Sequence, residues 1–250
     1  MTIRHLLHTL LLALLISSAT KAAAQTLRIG TDNWPPFRHI KEHQVTGIDN
    51  DLWQQLSKKL SIKIQYVHCP WKRCLDLMKT GDIDAMSGLA WQQERGEYIH
   101  YIKPAYFGCS TRFYVRRGEE KRLQNREQLN HLNIGMVRGS AYYTEFDQNN
   151  TLQKTQLTQE SVLLPLLASG RIDSYIGTDC QADFELARSS WYQQLVKAPF
   201  NPESNTPLYI GLSKKSDWNK NSQSFSEAIQ QVLANGFRDA MQQKYYQSSE

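Results

Sequence analysis

The hydrophobic and polar positions of this chain follow two periods in turn. Apolar and polar residues alternate over Thr26–Thr31 and over 62–67, which predicts two β-strands. Between them, apolar residues recur at the helical spacing, in the stripe Ile48, Leu52, Leu56 and Leu60. A shorter helix is predicted over 71–79. Gly81 ends it, because glycine readily adopts the left-handed conformation that closes many helices.

Two short stretches of sequence occur twice, in the same order. LRIG at 27–30 returns as LNIG at 132–135, and KTGDIDAM at 79–86 returns as ASGRIDSY at 168–175. In each half, a strand that ends in glycine precedes a helix that ends in Gly-x-Ile-Asp. The repetition indicates two α/β lobes of similar build, and two such lobes favour a ligand site between them.

Strands and helices also alternate through the second half of the chain. The predicted strands are Ile134–Val137, 174–176 and 208–212, and the predicted helices are 141–147, 161–168, 180–188, 225–233 and 237–246. Such alternation is typical of mainly parallel sheets with helices on both faces. We therefore predict an α/β protein whose lobes are joined by short crossings near 107–111 and 207–211.

Residues 1–24 have the features of an export signal. Arg4 supplies a positive charge, residues 10–16 form a short apolar core, and 22–24 are small alanines that suit a signal peptidase. The alternative is an uncleaved membrane anchor, but the apolar run is shorter than the roughly 20 residues that a span requires. We predict cleavage near Gln25 and an exported, soluble mature chain.

Charge and cysteine content narrow the classes of function. The formal net charge of +5 falls to +3 when Arg4 and Lys21 leave with the signal, and the basic residues are scattered. This distribution argues against nucleic acid as a partner. An oxidising compartment favours a disulfide between Cys69 and Cys74, whose spacing differs from the CxxC pair of zinc sites. Two further cysteines, 109 and 180, are left either paired or free.

The residues suit binding better than catalysis. The chain has no Gly-x-Ser-x-Gly elbow, no phosphate-binding glycine loop and no Gly-x-Gly-x-x-Gly turn, and we predict no metal or cofactor site. Trp34 and Phe37 lie on a loop stiffened by two prolines, and Trp71 begins a helix, so these rings can stack on a ligand. Arg95 can bind a carboxylate through two hydrogen bonds. The alternatives are core packing for the tryptophans, and a surface ion pair with Glu94 or Glu97 for the arginine.

A set of motifs, in order, resembles the family 3 extracellular solute-binding proteins, the periplasmic amino-acid-binding type attached to ABC importers. These motifs cover most of the mature chain and are LRIGT at 27–31, WPPF at 34–37, TGIDNDL at 46–52, GDID at 81–84, ER at 94–95, IGMVRGS at 134–140, GRID at 170–173 and ANGF at 234–237 before KYY at 244–246. Each motif alone is weak, whereas eight in the same order make a strong resemblance.

The resemblance implies the fold class and the partners. It implies a two-lobed periplasmic-binding-protein fold of type II, with a hinge of two strands between the lobes. Lobe 1 would comprise residues 25–108 plus 211–250, and lobe 2 would comprise 109–210. The protein would act as a monomer in the periplasm, and would deliver a small ligand to an ABC permease or signal to a sensor.

A periplasmic cyclohexadienyl-acid dehydratase on the same fold is the enzymatic alternative. It would need a general acid, for which Asp179 and Glu145 are candidates; we predict that the chain is not an enzyme.

The resemblance also implies roles for particular residues. Arg95 would bind the carboxylate of the ligand, Trp34 and Trp71 would enclose the ligand, and Gly88 would offer its backbone N–H. Gly139 and Ser140 would contribute from the second lobe.

Two positions depart from the family pattern. The serine or threonine expected five residues before the arginine is Ala90, and the acid expected for the ligand ammonium group falls at Thr178, with Asp179 one residue later. Either Asp179 serves as this acid or no acid is present to bind the ammonium group. This departure weakens the case for an ordinary α-amino acid as the ligand. Stacking on the tryptophans also suits an aromatic or cationic ligand.

Overall fold

The computed structural model describes residues 25–42 and 44–247, and the predicted export signal lies outside this part of the chain. Its strands are β1 Thr26–Thr31, β2 His39–Lys41, β3 Gln44–Thr46, β4 Lys63–His68, β5 Ala85–Leu89, β6 Ile99–Arg116, β7 Ile134–Val137, β8 Lys154–Leu157, β9 Ser174–Thr178, β10 Leu195–Lys197 and β11 Asn205–Ser213. Its α-helices are α1 Ile48–Leu60, α2 Trp71–Thr80, α3 Gln93–Gly96, α4 Thr144–Asp147, α5 Leu163–Ala168, α6 Asp179–Ala187, α7 Ser222–Ala234 and α8 Phe237–Gln242. Short 3₁₀ turns include Glu160–Val162, and a π-helical turn follows at Gln243–Gln247.

The strands form one sheet whose two ends are parallel and whose middle is antiparallel. The order is β4-β1-β5-β11-β6-β9-β7-β8, with β10 paired to β6 and with β2 and β3 in a separate hairpin. β1 pairs in parallel with β4 and β5, and β7 pairs in parallel with β8 and β9. We call the elements around the first set the first lobe and those around the second set the second lobe. The predicted two-lobed α/β fold is confirmed.

Apolar spacing explains why the helices of the first lobe lie where they do. The side chains of Ile48, Leu52 and Leu56 on α1 are fully buried, so the stripe predicted from the sequence faces the core. The core side of α2 is formed by Trp71, Leu75 and Met78, and the helix ends at Gly81 with φ of 84°. This left-handed end turns the chain back into β5.

Two strands cross between the lobes. β6 runs for 18 residues, pairing with β11 along much of its length and with β9 near its end. In the crossing region Pro207 lies opposite Gly108, and Thr206 lies opposite Cys109. Both strands continue through the predicted boundaries at 108/109 and 210/211, so the lobe limits stay a prediction.

Disulfides fix two segments that lead to the cleft. The sulfur atoms of Cys69 and Cys74 lie 1.92 Å apart, at disulfide distance, and enclose the turn into α2. Cys109 and Cys180, which the sequence left open, are also at disulfide distance and join β6 to the start of α6. None of the helices within 25–42 and 44–247 is long and apolar enough to span a membrane.

Candidate functional site

A cleft of about 590 Å³, including its open mouth, lies between the two lobes. Six of the nine predicted ligand-contacting residues line it, namely Trp34, Trp71, Gly88, Arg95, Ser140 and Thr178. The other three, Phe37, Gly139 and Asp179, lie beside or behind its walls. The cleft also has three charged residues that the sequence did not suggest, Asp32, Arg38 and Glu160.

The loop after β1 supplies an aromatic wall. Trp34 and Arg38 exchange backbone hydrogen bonds of 2.8 and 2.9 Å, which closes the loop into a tight turn. Phe37 is fully buried behind Trp34, with ring centroids 4.4 Å apart and planes 18° apart. Phe37 therefore supports the ring of Trp34 from the core and does not line the cleft. Trp71, at the start of α2, forms the second part of this wall.

Arg38 is buried against this wall and is neutralised within the first lobe. Its Nη1 donates to Asp49 at 2.6 Å and its Nη2 donates to Asp32 at 2.7 Å. Its guanidinium carbon lies 4.9 Å from the ring centroid of Trp34 and 5.7 Å from that of Trp71. Burial alone would lower the pKa of Arg38, but the two carboxylates outweigh burial and raise it above its ordinary value.

Gly88 lets the guanidinium of Arg38 approach the backbone of β5. Its φ is 75°, in the left-handed region where side chains cost energy. A Cβ at this position would lie 2.6 Å from Nη1 of Arg38 and 3.2 Å from the ring of Trp34. Glycine is therefore required here both for backbone conformation and for space.

Arg95 brings an unbalanced positive charge to the cleft. It is 3% exposed, its Nη1 donates to the carbonyl of Ala90 at 3.0 Å, and its Nη2 donates to the carbonyl of Gly139 at 2.6 Å. Within the described part of the chain no carboxylate oxygen lies within 4 Å of its nitrogens, so neither Glu94 nor Glu97 pairs with it. Neutral carbonyls satisfy hydrogen bonding but form no ion pair, and the carboxylate of Asp147 acts on this charge only from beyond 4 Å.

Gly139 joins the lobes through its carbonyl oxygen. Besides the bond from Arg95, this oxygen accepts a hydrogen bond from Nε1 of Trp71 at 3.3 Å. Two first-lobe side chains thus meet one backbone atom of the second lobe, and the lobes touch across the cleft. The next residue, Ser140, lines the cavity.

The two positions that depart from the family pattern have different surroundings. Thr178 lines the cleft, and its Oγ1 is buried without a hydrogen-bond partner among the described residues. The carboxylate of Asp179 instead accepts the backbone N–H groups of Ser110 and Cys180, both at 2.8 Å. In this arrangement Asp179 holds the start of α6 against β6, outside the cavity.

Glu160 is the acid that lines the cleft from the second lobe. It lies in the turn after β8, and its Oε1 is 2.6 Å from the hydroxyl of Tyr175. Loss of hydration raises the pKa of Glu160 to about 8. Glu145, one of the two acids considered for a dehydratase, lies instead in a separate surface pocket of the second lobe beside Tyr143. Sequence offered no signal for Glu160, because it lies outside every recognised motif.

Comparison with known proteins shows the family to which this site belongs. The model of the bacterial extracellular solute-binding proteins, family 3, matches residues 27–248. A probable histidine-binding protein of Campylobacter jejuni is 25% identical over 229 residues, which cover 88% of this chain and 84% of that protein.

Two solved structures share the fold at low sequence identity. A histidine kinase sensor domain with similarity to periplasmic binding proteins has a TM-score of 0.78 at 16% identity, covering 89% of this chain and 96% of that one. The ancestral amino-acid-binding protein AncCDT-1, a precursor of cyclohexadienyl dehydratase, has a TM-score of 0.74 at 22% identity, covering 88% and 95%. From the family match over nearly all described residues, the chain belongs to the family 3 bacterial extracellular solute-binding proteins.

Proposed function

We propose that the protein binds a small, carboxylate-bearing, amino-acid-like solute in the cleft and closes its two lobes around it. The observation that carries this proposal is Arg95, a buried cation that faces the cleft without a carboxylate partner. A buried charge that lacks a partner is costly, and a ligand carboxylate removes that cost. A guanidinium also matches a carboxylate in geometry, because it can donate two parallel hydrogen bonds.

The remaining walls of the cleft suit the rest of such a ligand. Trp34 and Trp71 offer rings for stacking, and Thr178, whose buried Oγ1 has no hydrogen-bond partner among the described residues, lies in the wall from the second lobe. Ligand contacts come from both lobes, so the ligand stabilises the closed form over an open one. Shifting an equilibrium from 1:99 to 99:1 requires about 10⁴-fold tighter binding to the favoured form.

The proposed role follows from family membership and from the predicted export signal. The protein acts in the periplasm as a monomer, and the closed form delivers the solute to an ABC-type importer. The histidine kinase sensor domain with the same fold supports a sensing role as the alternative. A binding assay with the purified periplasmic domains of candidate membrane partners, with and without solute, separates the two roles.

The test of binding is a calorimetric panel of amino acids and their decarboxylated amines against the mature chain. We expect binding of at least one amino acid and none of its amine. Arg95→Gln should weaken that binding about 100-fold or more, since it removes one side of a buried ion pair worth about 3–5 kcal/mol. Arg171→Gln, at an exposed arginine outside the cleft, is the matched control. Equal affinity of the Arg95→Gln and control variants would refute the proposal.

A specific observation favours a second candidate, an elimination reaction. The raised pKa of Glu160 places a neutral carboxylic acid in the cleft at pH 7. In a cyclohexadienyl acid, this acid would donate its proton to the ring hydroxyl as the C–O bond breaks. The hydroxyl leaves as water, CO₂ is lost, and the electron pair of the broken C–C bond stays in the ring and makes it aromatic. The test is to incubate the mature chain with prephenate and to measure the absorbance of the phenylpyruvate formed. If the wild type forms phenylpyruvate no faster than a Glu160→Gln variant, the elimination reaction is excluded.

A further inference from the structure

Two charged residues of the cleft lack a partner of opposite charge. Arg38 is paired with both Asp32 and Asp49 inside the first lobe, in a group of one positive and two negative formal charges. Arg95, also in the first lobe, bonds to neutral carbonyl oxygens. Glu160, in the second lobe, has no Lys, Arg or His nitrogen within 4 Å of its carboxylate among residues 25–42 and 44–247. Apart from the Arg38, Asp32 and Asp49 group, the cleft therefore presents Arg95 and Glu160, from opposite lobes, each without an ion pair within 4 Å among the described residues.

Among the described residues, the nearest hydrogen-bonding groups and the groups with the largest effect on the pKa of Glu160 include no cation. They are Tyr175 on β9, Gln181 and Glu185 on α6, and Asp32 and Trp34 on the first-lobe loop. Loss of hydration is the main reason that the pKa of Glu160 is raised, and the negative charges of Glu185 and Asp32 raise it further. Hydrogen bonds from Tyr175 and Trp34 act in the opposite direction. Burial also raises the pKa of Glu185, to about 7, and an acid at this position supplies no positive charge to pair with Glu160.

Counting hydrogen-bond protons shows that the site accommodates both charge states of Glu160. The hydroxyl of Tyr175 has one proton but lies 2.6 Å from Oε1 of Glu160 and 2.9 Å from Oε1 of Gln181. If Glu160 is neutral, it donates to Tyr175, which donates to Gln181. If Glu160 is ionised, Tyr175 donates to it, and Gln181 completes the chain by turning its amide so that Nε2 donates to Tyr175.

The amide of Gln181 is poised for this exchange. The residue is fully buried, and its Nε2 has no hydrogen-bond partner within 3.5 Å among the described residues, although a longer contact with Gln181 lowers the pKa of Glu185. An unsatisfied buried donor costs free energy, and rotation of the amide removes that cost when Glu160 loses its proton. Ionisation of Glu160 is therefore supported by its second-lobe neighbours once a positive group arrives from the ligand.

We propose that Glu160 accepts the cationic group of the ligand and releases its own proton to solvent when the ligand binds. This inference rests on the proposed function and deepens it, because it identifies the solute as a carboxylate that also carries an ammonium or guanidinium group. The carboxylate would pair with Arg95 on the first lobe and the cation with Glu160 on the second. Both charges of the ligand would then span the cleft, and the lobes would close only on a molecule that carries both.

The experiment is calorimetry of the 20 amino acids and their Nα-acetyl derivatives at pH 6.5, in phosphate and in Tris buffer. The acetyl derivatives keep the carboxylate but lose the α-ammonium charge. Binding enthalpies in buffers of different ionisation enthalpy give the number of protons released. We expect about one proton released per amino acid bound, because a group with a raised pKa is protonated in the free protein and ionised in the complex.

Glu160→Gln is the test variant, since glutamine keeps the hydrogen bond to Tyr175 but carries no charge. It should release no proton and should bind amino acids at least 10-fold more weakly than the wild type. Glu145→Gln, at an acid outside the cleft, should match the wild type in both measurements. Amino-acid binding by Glu160→Gln within twofold of the wild type, with the same proton release, overturns this inference alone. If no member of the panel binds the wild type, the proposed function falls and this inference falls with it.

Discussion

Replacing Gly88 by alanine perturbs the packing between β5 and the aromatic wall by a single methyl group. The added Cβ would lie 2.6 Å from Nη1 of Arg38 and 3.2 Å from the ring of Trp34. Arg38 cannot move aside freely, since ion pairs of 2.7 and 2.6 Å hold it to Asp32 and Asp49. Gly88 itself has φ of 75°, so alanine would also be strained in its backbone.

The expected loss of stability is the sum of these two costs. A left-handed conformation costs a residue with a Cβ about 1–2 kcal/mol. Overpacking a tightly packed site costs about 1–3 kcal/mol. The total for Gly88→Ala is therefore about 2–5 kcal/mol in the free energy of unfolding. For a chain of this size, a loss of about 3 kcal/mol lowers Tm by roughly 6–12 °C.

Urea denaturation and thermal unfolding of the ligand-free protein measure this loss. Gly118→Ala and Gly236→Ala are matched controls, because both glycines have positive φ, 89° and 76°, and a Cβ at either has nothing within 4 Å. The controls should lose only the backbone cost of about 1–2 kcal/mol. If Gly88→Ala is no less stable than the controls, the claim that Arg38 is wedged against β5 is refuted.

Two further predictions concern pH and the second disulfide. Partial burial would raise the pKa of Asp84, but hydrogen bonds from Arg28 and Ser216 outweigh it and lower the pKa. A carboxyl with a lowered folded-state pKa stabilises the fold above its unfolded-state pKa, and that stability is lost as pH falls through the folded-state value. Asp84→Asn should therefore be less stable than the wild type at pH 7, with the difference shrinking below about pH 4 in urea titrations; a constant difference would contradict the assignment. The Cys109–Cys180 disulfide spans 71 residues of sequence, so replacing both cysteines by serine should cost about 4 kcal/mol by loop-closure entropy. An unfolding free energy unchanged by that double replacement would show that the tether contributes nothing.

Local patterns predicted the elements of the first lobe well. The first strand was expected at Thr26–Thr31 and is observed there, and the helix expected at 71–79 is observed as Trp71–Thr80. Each of these segments has an uninterrupted period and a clear ending signal, such as Gly81. Local sequence is sufficient to predict a strand or helix where one short segment contains both its hydrophobic period and the residue that ends it.

The crossing region was predicted less completely. The sequence placed a short crossing near 107–111, whereas β6 extends from Ile99 to Arg116. β6 pairs with β11 beside the first lobe and with β9 and β10 in the second, so different parts of one strand face different surroundings. No single alternation pattern describes such a strand, and its length follows from its partners.

Within the cleft, the same distinction separates expected residues from unexpected ones. Trp34, Trp71 and Arg95 drew attention because aromatic rings and a guanidinium on strand-to-helix connections are suited to ligands. Arg38 and Glu160 are ordinary charged residues in the sequence, and nothing near them in the chain distinguishes them. Their importance comes from contacts with Asp49 and Tyr175, which are distant in sequence.

The sequence by itself determined the α/β class, the doubled lobe, the family and the arginine that faces the cleft, because each is recorded in local periods or short motifs. Only the tertiary structure decided which charges in the cleft are balanced. Charge balance depends on distances between side chains from different elements and on the water that burial removes. For that reason Arg38 is paired with carboxylates inside the first lobe, Asp179 is committed to the backbone of β6 and α6, and Glu160 lines the cleft without an ion pair among the described residues.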